Sequence, residues 1–368
     1  MNRTFLRNTG LRTAAPLAVA VTLALGLSAC GAANETPGAG STTGLSGTLN
    51  AGGSSAQQSA IAAWKKAFQT ANPQTTINYD PVGSGGGREQ FLAGGLNFAG
   101  SDAFLDDAEL AKAKVTCKGP VVEVPVYVSP IAIIFNLPGV TELNLTPAVV
   151  GGIFEGKITK WNDAAIKADN PDTKLPSTTI SPVHRSDDSG TTENFTDYLD
   201  QASGGSWTGG KDKVWPIKSG EAAEGTSGVV SAVTNGEGTI GYADASQAGS
   251  LSVAKIKVGA NFEAYTPEAA AAVLDASKLV AGRGDTDIAF EVDRKITTKG
   301  VYPIILVSYQ IACEKYSDQA QADLVKAWLT YVSSSDGQAV AATDAGAAPL
   351  SADLRKRVST AIAKISVS

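Results

Sequence analysis

Apolar and polar positions along this chain change period many times, and each change marks a boundary between elements. Arg3, Arg7 and Arg12 precede an apolar run from Ala14 to Leu25, which is shorter than the roughly 20 residues a membrane-spanning helix needs. Residues 31–47, GAANETPGAGSTTGLSG, are small, polar and rich in Gly and Pro, the composition of a flexible tether. Folded sequence is expected from Thr48. A short strand is predicted over Thr48–Ala51; Ile61, Trp64 and Phe68 then share one helical face, with Asn72-Pro73 as the stop. Thr76–Tyr79 predicts a strand, followed by a glycine-rich loop and a short helix from Arg88. Val121–Val128 and Ile131–Phe135 predict two strands joined near Ser129-Pro130. Strands over 178–184 and 239–243 flank a helix from Thr192 that carries Phe195, Tyr198 and Leu199. Tyr302–Ala312 is the longest strand-like run near the end, and helices over 320–332 and 352–365 close the chain. This alternation predicts an α/β protein with mixed sheets flanked by helices, and the length implies two such units.

Composition adds a compartment. Leu27-Ser28-Ala29-Cys30 is similar to the lipobox of bacterial lipoprotein signals, with residues 1–29 as the signal peptide and Cys30 as the lipidated (palmitate-bearing) new N-terminus. The alternative is an ordinary secretory signal with a chance cysteine. The resemblance implies an exported protein held by its lipid on the outer face of the cytoplasmic membrane, or on the periplasmic side, with residues 30–47 as tether. Removing residues 1–29 takes away three arginines and no acid, so the formal charge moves from −6 to −9. That balance, without any basic run, excludes nucleic acid as the expected partner. Besides Cys30, Cys117 and Cys313 remain as a pair in an oxidising compartment. They read as a disulfide or as two buried thiols.

Three segments share one local design: a strand, then Gly, Ser or Thr residues, then a helix start. They are Gly52-Gly53-Ser54-Ser55, Gly83-Ser84-Gly85-Gly86-Gly87 and Asp188-Ser189-Gly190-Thr191. Helix N-termini leave backbone N–H groups unpaired at the positive end of the macrodipole, so each is a ready anion site. Any one of them alone also reads as an ordinary turn and cap. Arg185 lies four residues before Ser189, with a planar fork of donors suited to an oxyanion, and Asp187 is near enough to hold it.

In this order, Leu49 through Trp64, Gly83-Ser84, Phe98 through Ala103, Gly156-Lys157-Ile158 with Trp161-Asn162-Asp163, and Arg185 through Thr191 resemble the phosphate-binding proteins of the high-affinity phosphate ABC importers. The resemblance implies a two-lobed periplasmic-binding-protein type fold (type II), with hinge-linked lobes and a ligand cleft between them. Residues 48–126 plus 306–368 would form lobe I and residues 127–305 lobe II, with crossings near Tyr127 and Ile305. It implies inorganic phosphate as ligand, held by Ser55, Ser84, Asp102, Arg185, Ser189, Gly190 and Thr191, with Ser54, Gly85 and Asp187 supporting. Where the family often has a second Ser, Gly85 leaves only a backbone N–H. It also implies delivery to ABC importer permease subunits by a monomer without cofactor or metal. Both Cys117 and Cys313 would then fall on lobe I. Asp102 is the unexpected member, since a carboxylate repels an anion. Monohydrogen phosphate carries a proton that Asp102 accepts, whereas sulfate has none, so such a site rejects sulfate on the order of ten-thousandfold.

Rival readings are few. Gly151 through Lys157 nearly spells a phosphate-binding P-loop, but Ile158 stands where a Ser or Thr must bind magnesium. An exported phosphate-processing enzyme needs a nucleophile with a base or a metal cluster; the single His184 reads as a packing residue, and no such set is evident. A binding protein for another oxyanion, arsenate or sulfate, is the alternative within the same fold.

Overall fold

A computed structural model describes residues 44–368. The signal segment and Cys30 lie outside the described residues. Nine strands form the main sheet: β1 (Ser46–Gly53), β2 (Gln74–Asp80), β3 (Phe98–Ser101), β4 (Val121–Asn136), β5 (Ser181–Arg185), β6 (Glu221–Ala223), β7 (Thr239–Asp244), β8 (Ser252–Val253) and β9 (Ile305–Cys313). Their order is β2-β1-β3-β9-β4-β7-β5-β6, and β8 pairs with β4. The outer groups, β2-β1-β3 and β7-β5-β6, are parallel; β9 and β4 run antiparallel to their neighbours between them. Strand β1 already begins at Ser46, so the last two residues of the expected tether belong to the sheet. This is an α/β fold with a mixed sheet flanked by helices.

Strand β4 explains how one sheet serves both groups. Every residue from Val121 to Phe135 is buried, because the strand is covered on both faces, and its sequence is accordingly apolar but for Glu123 and Ser129 and the hydroxyl of Tyr127. Two strands joined at Ser129-Pro130 were expected, yet the chain stays extended through the proline and changes partner there. The last rung with β9 is Ile305↔Pro130, and the first with β7 is Ile131↔Asp244. A proline has no N–H to give, so it fits where one ladder ends and the next begins.

Ten of the helices matter here: α1 (Gln58–Ala71), α2 (Ser84–Leu92), α3 (Asp107–Thr116), α4 (Pro147–Phe154), α5 (Gly190–Ala202), α6 (Gly225–Asn235), α7 (Pro267–Ala276), α8 (Gln319–Ser333), α9 (Ser335–Ala345) and α10 (Ala352–Ala363). Helix α1 buries the stripe of Ile61, Trp64 and Phe68; Phe68 meets the Trp328 ring of α8 edge-on at 5.4 Å, and Phe98 stacks on it at 5.8 Å. Other elements differ from expectation. Helix α2 starts at Ser84, four residues before Arg88, so three glycines make its first turn. Glycine disfavours a helix by about 1 kcal/mol each, but Gly85 and Gly87 leave no room for more, with an added Cβ 2.1 Å from Asp188 Cγ and 2.3 Å from Gly53 Cα respectively. Strand β9 begins at Ile305 and not at Tyr302, whose hydroxyl instead donates to the Ile131 carbonyl at 2.9 Å. Helix α9 was not expected, because its Ala-rich sequence carries no apolar stripe.

Cys117, at the end of α3, is disulfide-bonded to Cys313, the last residue of β9, with Cα atoms 5.2 Å apart. Among the described residues, no helix is long and apolar enough to cross a membrane.

The inner end of β7 holds a buried carboxyl. Asp244 accepts from Tyr127 Oη at 3.0 Å, from the Ser246 backbone N–H at 2.9 Å and from Ser246 Oγ at 2.5 Å, and burial pushes its pKa up to about 7. A carboxyl with a raised folded pKa keeps a proton that the unfolded chain has lost, so its contribution falls as pH rises from about 4 to 7. Asp244→Asn removes that titration. Chemical denaturation of wild type and D244N at pH 4 to 8 should show the difference between them moving in favour of D244N as pH rises. Parallel curves would assign the burial penalty elsewhere.

Candidate functional site

Three chain turns meet around the end of β3. Ser54 follows β1, Ser84 opens α2, and Gly190 opens α5 with Ser189 as its cap, the Ser189 Oγ accepting the Thr192 N–H at 3.1 Å. Asp102 lies between them, buried, one residue past β3. The approach of α5 depends on Gly190: a Cβ there would stand 2.7 Å from both Asp102 Cβ and Ser84 Oγ. The backbone N–H groups of Gly190 and Thr191 donate to none of the described residues, which is the expected state of a helix's first turn.

The Asp102 carboxylate is held by hydroxyls. Oδ1 accepts from Ser54 Oγ and from Ser308 Oγ, each at 2.6 Å; Oδ2 accepts from Thr191 Oγ1 at 3.1 Å and from Ser84 Oγ at 3.4 Å. Burial raises the pKa of this carboxyl, and the Ser308 and Ser54 hydroxyls, the charge of Arg185 and the Thr191 hydroxyl each pull it back down. The main-chain carbonyl of Asp102 is taken by Asn194 Nδ2 at 2.7 Å, which also reaches the Gly190 carbonyl at 2.9 Å. Arg294 Nη2 in turn donates to Asn194 Oδ1 at 2.5 Å, which fixes the amide's orientation, and Asp197 takes Arg294 Nε at 2.9 Å.

Arg185 stands at the end of β5. Its Nε donates to Asp187 Oδ1 at 2.7 Å and its Nη2 to Asp187 Oδ2, a forked pair that orients the guanidinium and leaves Nη1 without a partner among the described residues. Asp187 is itself braced by the Gly225 N–H at 3.1 Å. A second set of charges lies beside it: Arg88 reaches Glu109 at 3.0 Å and Asp188 at 3.2 Å, and Lys213 reaches the same two carboxylates at 3.4 and 3.5 Å.

The structure thus gathers Ser54, Ser84, Asp102, Arg185, Asp187, Gly190 and Thr191, with Ser189 behind them as the helix cap. Two residues are differently engaged than expected. Ser55 Oγ bonds Thr226 Oγ1 at 3.0 Å and accepts the Thr226 N–H at 3.1 Å, so its hydroxyl ties the turn before α1 to α6. The Gly85 N–H, expected to stay free for a ligand, donates to the Asp188 carbonyl at 3.1 Å. Residues missed from the sequence are Ser308, Asn194 and Thr226. Ser308 had a signal: it is a polar residue inside a mostly apolar strand, where a buried hydroxyl needs a partner. The near-P-loop is something else, since Gly151–Phe154 end α4 and do not open a helix. His184 stacks on Trp215 at 4.8 Å. Among the described residues, no group of three His, Cys, Asp or Glu could hold a metal ion. A cavity of about 390 Å³ lined by Asp197, Arg294 and Tyr309 shares Asp102 with this cluster but not Arg185 or Ser189.

Residues 32–336 match the PBP superfamily domain. The chain is 37% identical to phosphate-binding protein PstS 3 of Mycobacterium tuberculosis (strain ATCC 25618 / H37Rv) over 366 residues, 95% of this chain and 98% of that protein. It is 36% identical to PstS 3 of Mycobacterium leprae (strain TN) over 91% of this chain and 94% of the relative. Among solved structures, a high affinity periplasmic phosphate-binding protein (PfluDING) bound with phosphate superposes with a TM-score of 0.71 at 24% identity, over 85% of this chain and 93% of the other. A phosphate-binding protein from Stenotrophomonas maltophilia does so at 0.67 with 21% identity, over 86% and 94%. At those identities the two structures speak to the fold alone.

Proposed function

The chain belongs to the PBP superfamily and, within it, to the phosphate-binding proteins, and from that premise we propose that it binds inorganic phosphate and delivers it to an ABC phosphate importer. The observation that carries this reading is Asp102: a buried carboxylate, saturated by hydroxyl donors on Oδ1, facing the open N-terminus of α5 beside Arg185. Such a set offers donors to three oxygens of an anion and an acceptor to its proton. The relatives' names as phosphate-binding proteins support the same ligand.

In this reading Ser55, Ser84, Asp102, Arg185, Ser189, Gly190 and Thr191 hold phosphate, the hydroxyls and N–H groups donating and Asp102 accepting. Ser54, Gly85 and Asp187 support them. Residues 48–126 plus 306–368 move as one lobe and residues 127–305 as the other, hinged at the crossings near Tyr127 and Ile305. Bonds such as Ser55 to Thr226 and Lys213 to Glu109 would form on closure. The protein works as a monomer that binds and does not catalyse. Cys30 carries the lipid that keeps it at the membrane's outer face.

Calorimetric titration of phosphate, then sulfate, into protein stripped of ligand and starting after Cys30 tests the assignment. One phosphate site that excess sulfate fails to displace is expected; tight sulfate binding or none of either would overturn it. Arg185→Met should weaken phosphate by about a hundredfold, the worth of a lost charge-assisted pair near 3 kcal/mol. Arg185→Lys keeps the charge without the fork and should recover part of that loss in the same titration. An unchanged affinity in R185M would take Arg185 out of the site.

A further inference from the structure

We infer that Ser308 and Gln57, with Ser54, determine the oxyanion selectivity of this site by compelling Asp102 to act only as a hydrogen-bond acceptor. The inference rests on the phosphate-binding reading and adds two residues that the ligand set does not contain.

The argument is one of proton direction. Gln57 is fully buried, and its Nε2 lies 2.6 Å from Ser308 Oγ and 3.0 Å from the Tyr309 carbonyl. A carbonyl accepts only, so the atom facing it must be the amide nitrogen, and that nitrogen also donates to Ser308 Oγ. With its oxygen already receiving a proton from Gln57, Ser308 sends its own proton to its nearest acceptor, Asp102 Oδ1 at 2.6 Å; the next one, the Ser101 carbonyl, is 3.4 Å away. Ser54 is constrained in the same way. Its Oγ lies within reach of the backbone N–H groups of Ala56 at 3.1 Å and Gln57 at 3.3 Å, which leaves its proton for Oδ1 at 2.6 Å. Oδ1 therefore faces two hydroxyls that are both committed donors, and a proton on Oδ1 would meet two more.

Oδ2 is the freer oxygen. Its neighbours are Thr191 Oγ1 at 3.1 Å and Ser84 Oγ at 3.4 Å, and Ser84 Oγ also takes the Asp102 N–H at 3.0 Å. The other charged or titratable groups around Asp102 are Arg185 from β5 with its partner Asp187, Tyr79 from β2, Arg88 from α2 through Ser101, and Arg294 through Asn194. Of these, Arg185 bears most directly on the carboxyl to favour its charged form, while burial works against it. Without the Ser308 donor, burial prevails at a higher pH, Oδ2 takes a proton, and a donor then faces the anion. A fully deprotonated oxyanion becomes acceptable. Selectivity is thus set by a residue that need not touch the ligand.

The test is the pH profile of selectivity. Phosphate and sulfate affinities are measured from pH 5 to 8 for wild type, Ser308→Ala, Ser308→Thr and Gln57→Leu. In wild type, sulfate should stay excluded throughout. In S308A, sulfate affinity should rise about tenfold or more as pH falls from 8 to 5, the worth of one lost donor near 1.4 kcal/mol. Q57L should move the same way to a smaller degree, and S308T, which keeps the hydroxyl, should restore the wild-type profile. The infrared carbonyl band of a protonated carboxyl, present in S308A at low pH and lost in S308A combined with Asp102→Asn, provides a readout independent of ligand. A phosphate-to-sulfate ratio in S308A that matches wild type at every pH overturns the inference while the phosphate reading stands. Wild type that binds no phosphate overturns the functional reading itself.

Discussion

Replacing Asp102 with asparagine is expected to reduce discrimination of phosphate over sulfate from on the order of ten-thousandfold to within about tenfold. The substitution is nearly isosteric, and the amide oxygen inherits both short bonds to Ser54 and Ser308. The NH₂ group then takes the place of Oδ2, between Thr191 and Ser84 and facing the anion. Sulfate gains a donor where it met an acceptor. Phosphate loses the acceptor for its proton but is also relieved of a like charge, so its affinity changes far less than sulfate's. Competition titration of both ions into D102N at neutral pH is the measurement. If sulfate is still excluded, rejection resides elsewhere in the pocket and the role given to Asp102 is wrong.

The second large effect is on stability. Cys117 and Cys313 are 196 positions apart, and in the chain-entropy model closing so long a loop stabilises the fold by about 5 kcal/mol. Mutating both cysteines to alanine should lower the calorimetric midpoint by roughly 5 to 10 °C for a chain of this size. Cys117 is buried against a cluster that includes Leu105, Val121 and Ile311, so part of the loss would be packing. Reduction of the wild-type bond without mutation separates the two contributions. A midpoint unmoved by reductant would mean that the denatured chain gains little freedom from opening the loop.

Much of the site was legible in the sequence because its parts are local. A helix cap such as Ser189 and an arginine with its acid two residues on declare themselves within a few residues, whereas Asp102 alone reads as a turn residue and enters the site only through the resemblance of its Gly-Ser-Asp-Ala stretch. The cysteine pairing was legible as one of two readings, since compartment and number left few others. Contacts between distant segments were not. Ser308 meets Asp102 from 206 positions away, and Thr226 meets Ser55 from 171; no local pattern fixes either register. Helix α2 was read as starting at Arg88 because three glycines argue against a helix, and tertiary crowding at Gly85 and Gly87 overrode that preference. The break expected at Pro130 was the right residue with a different consequence, because a missing donor can end a ladder without ending a strand.

The bond between Cys117 and Cys313 also has a consequence for covalent topology. Everything between them, including Arg185, Ser189 and the whole of α5, is an insert fastened at both ends to one stretch of sheet, since Cys313 is the rung opposite Val121. A single cut by a protease anywhere in that insert leaves two fragments that remain one molecule. A nicked copy keeps Arg185 and Ser189 joined to the strands that carry Asp102 for as long as the sulfurs stay oxidised.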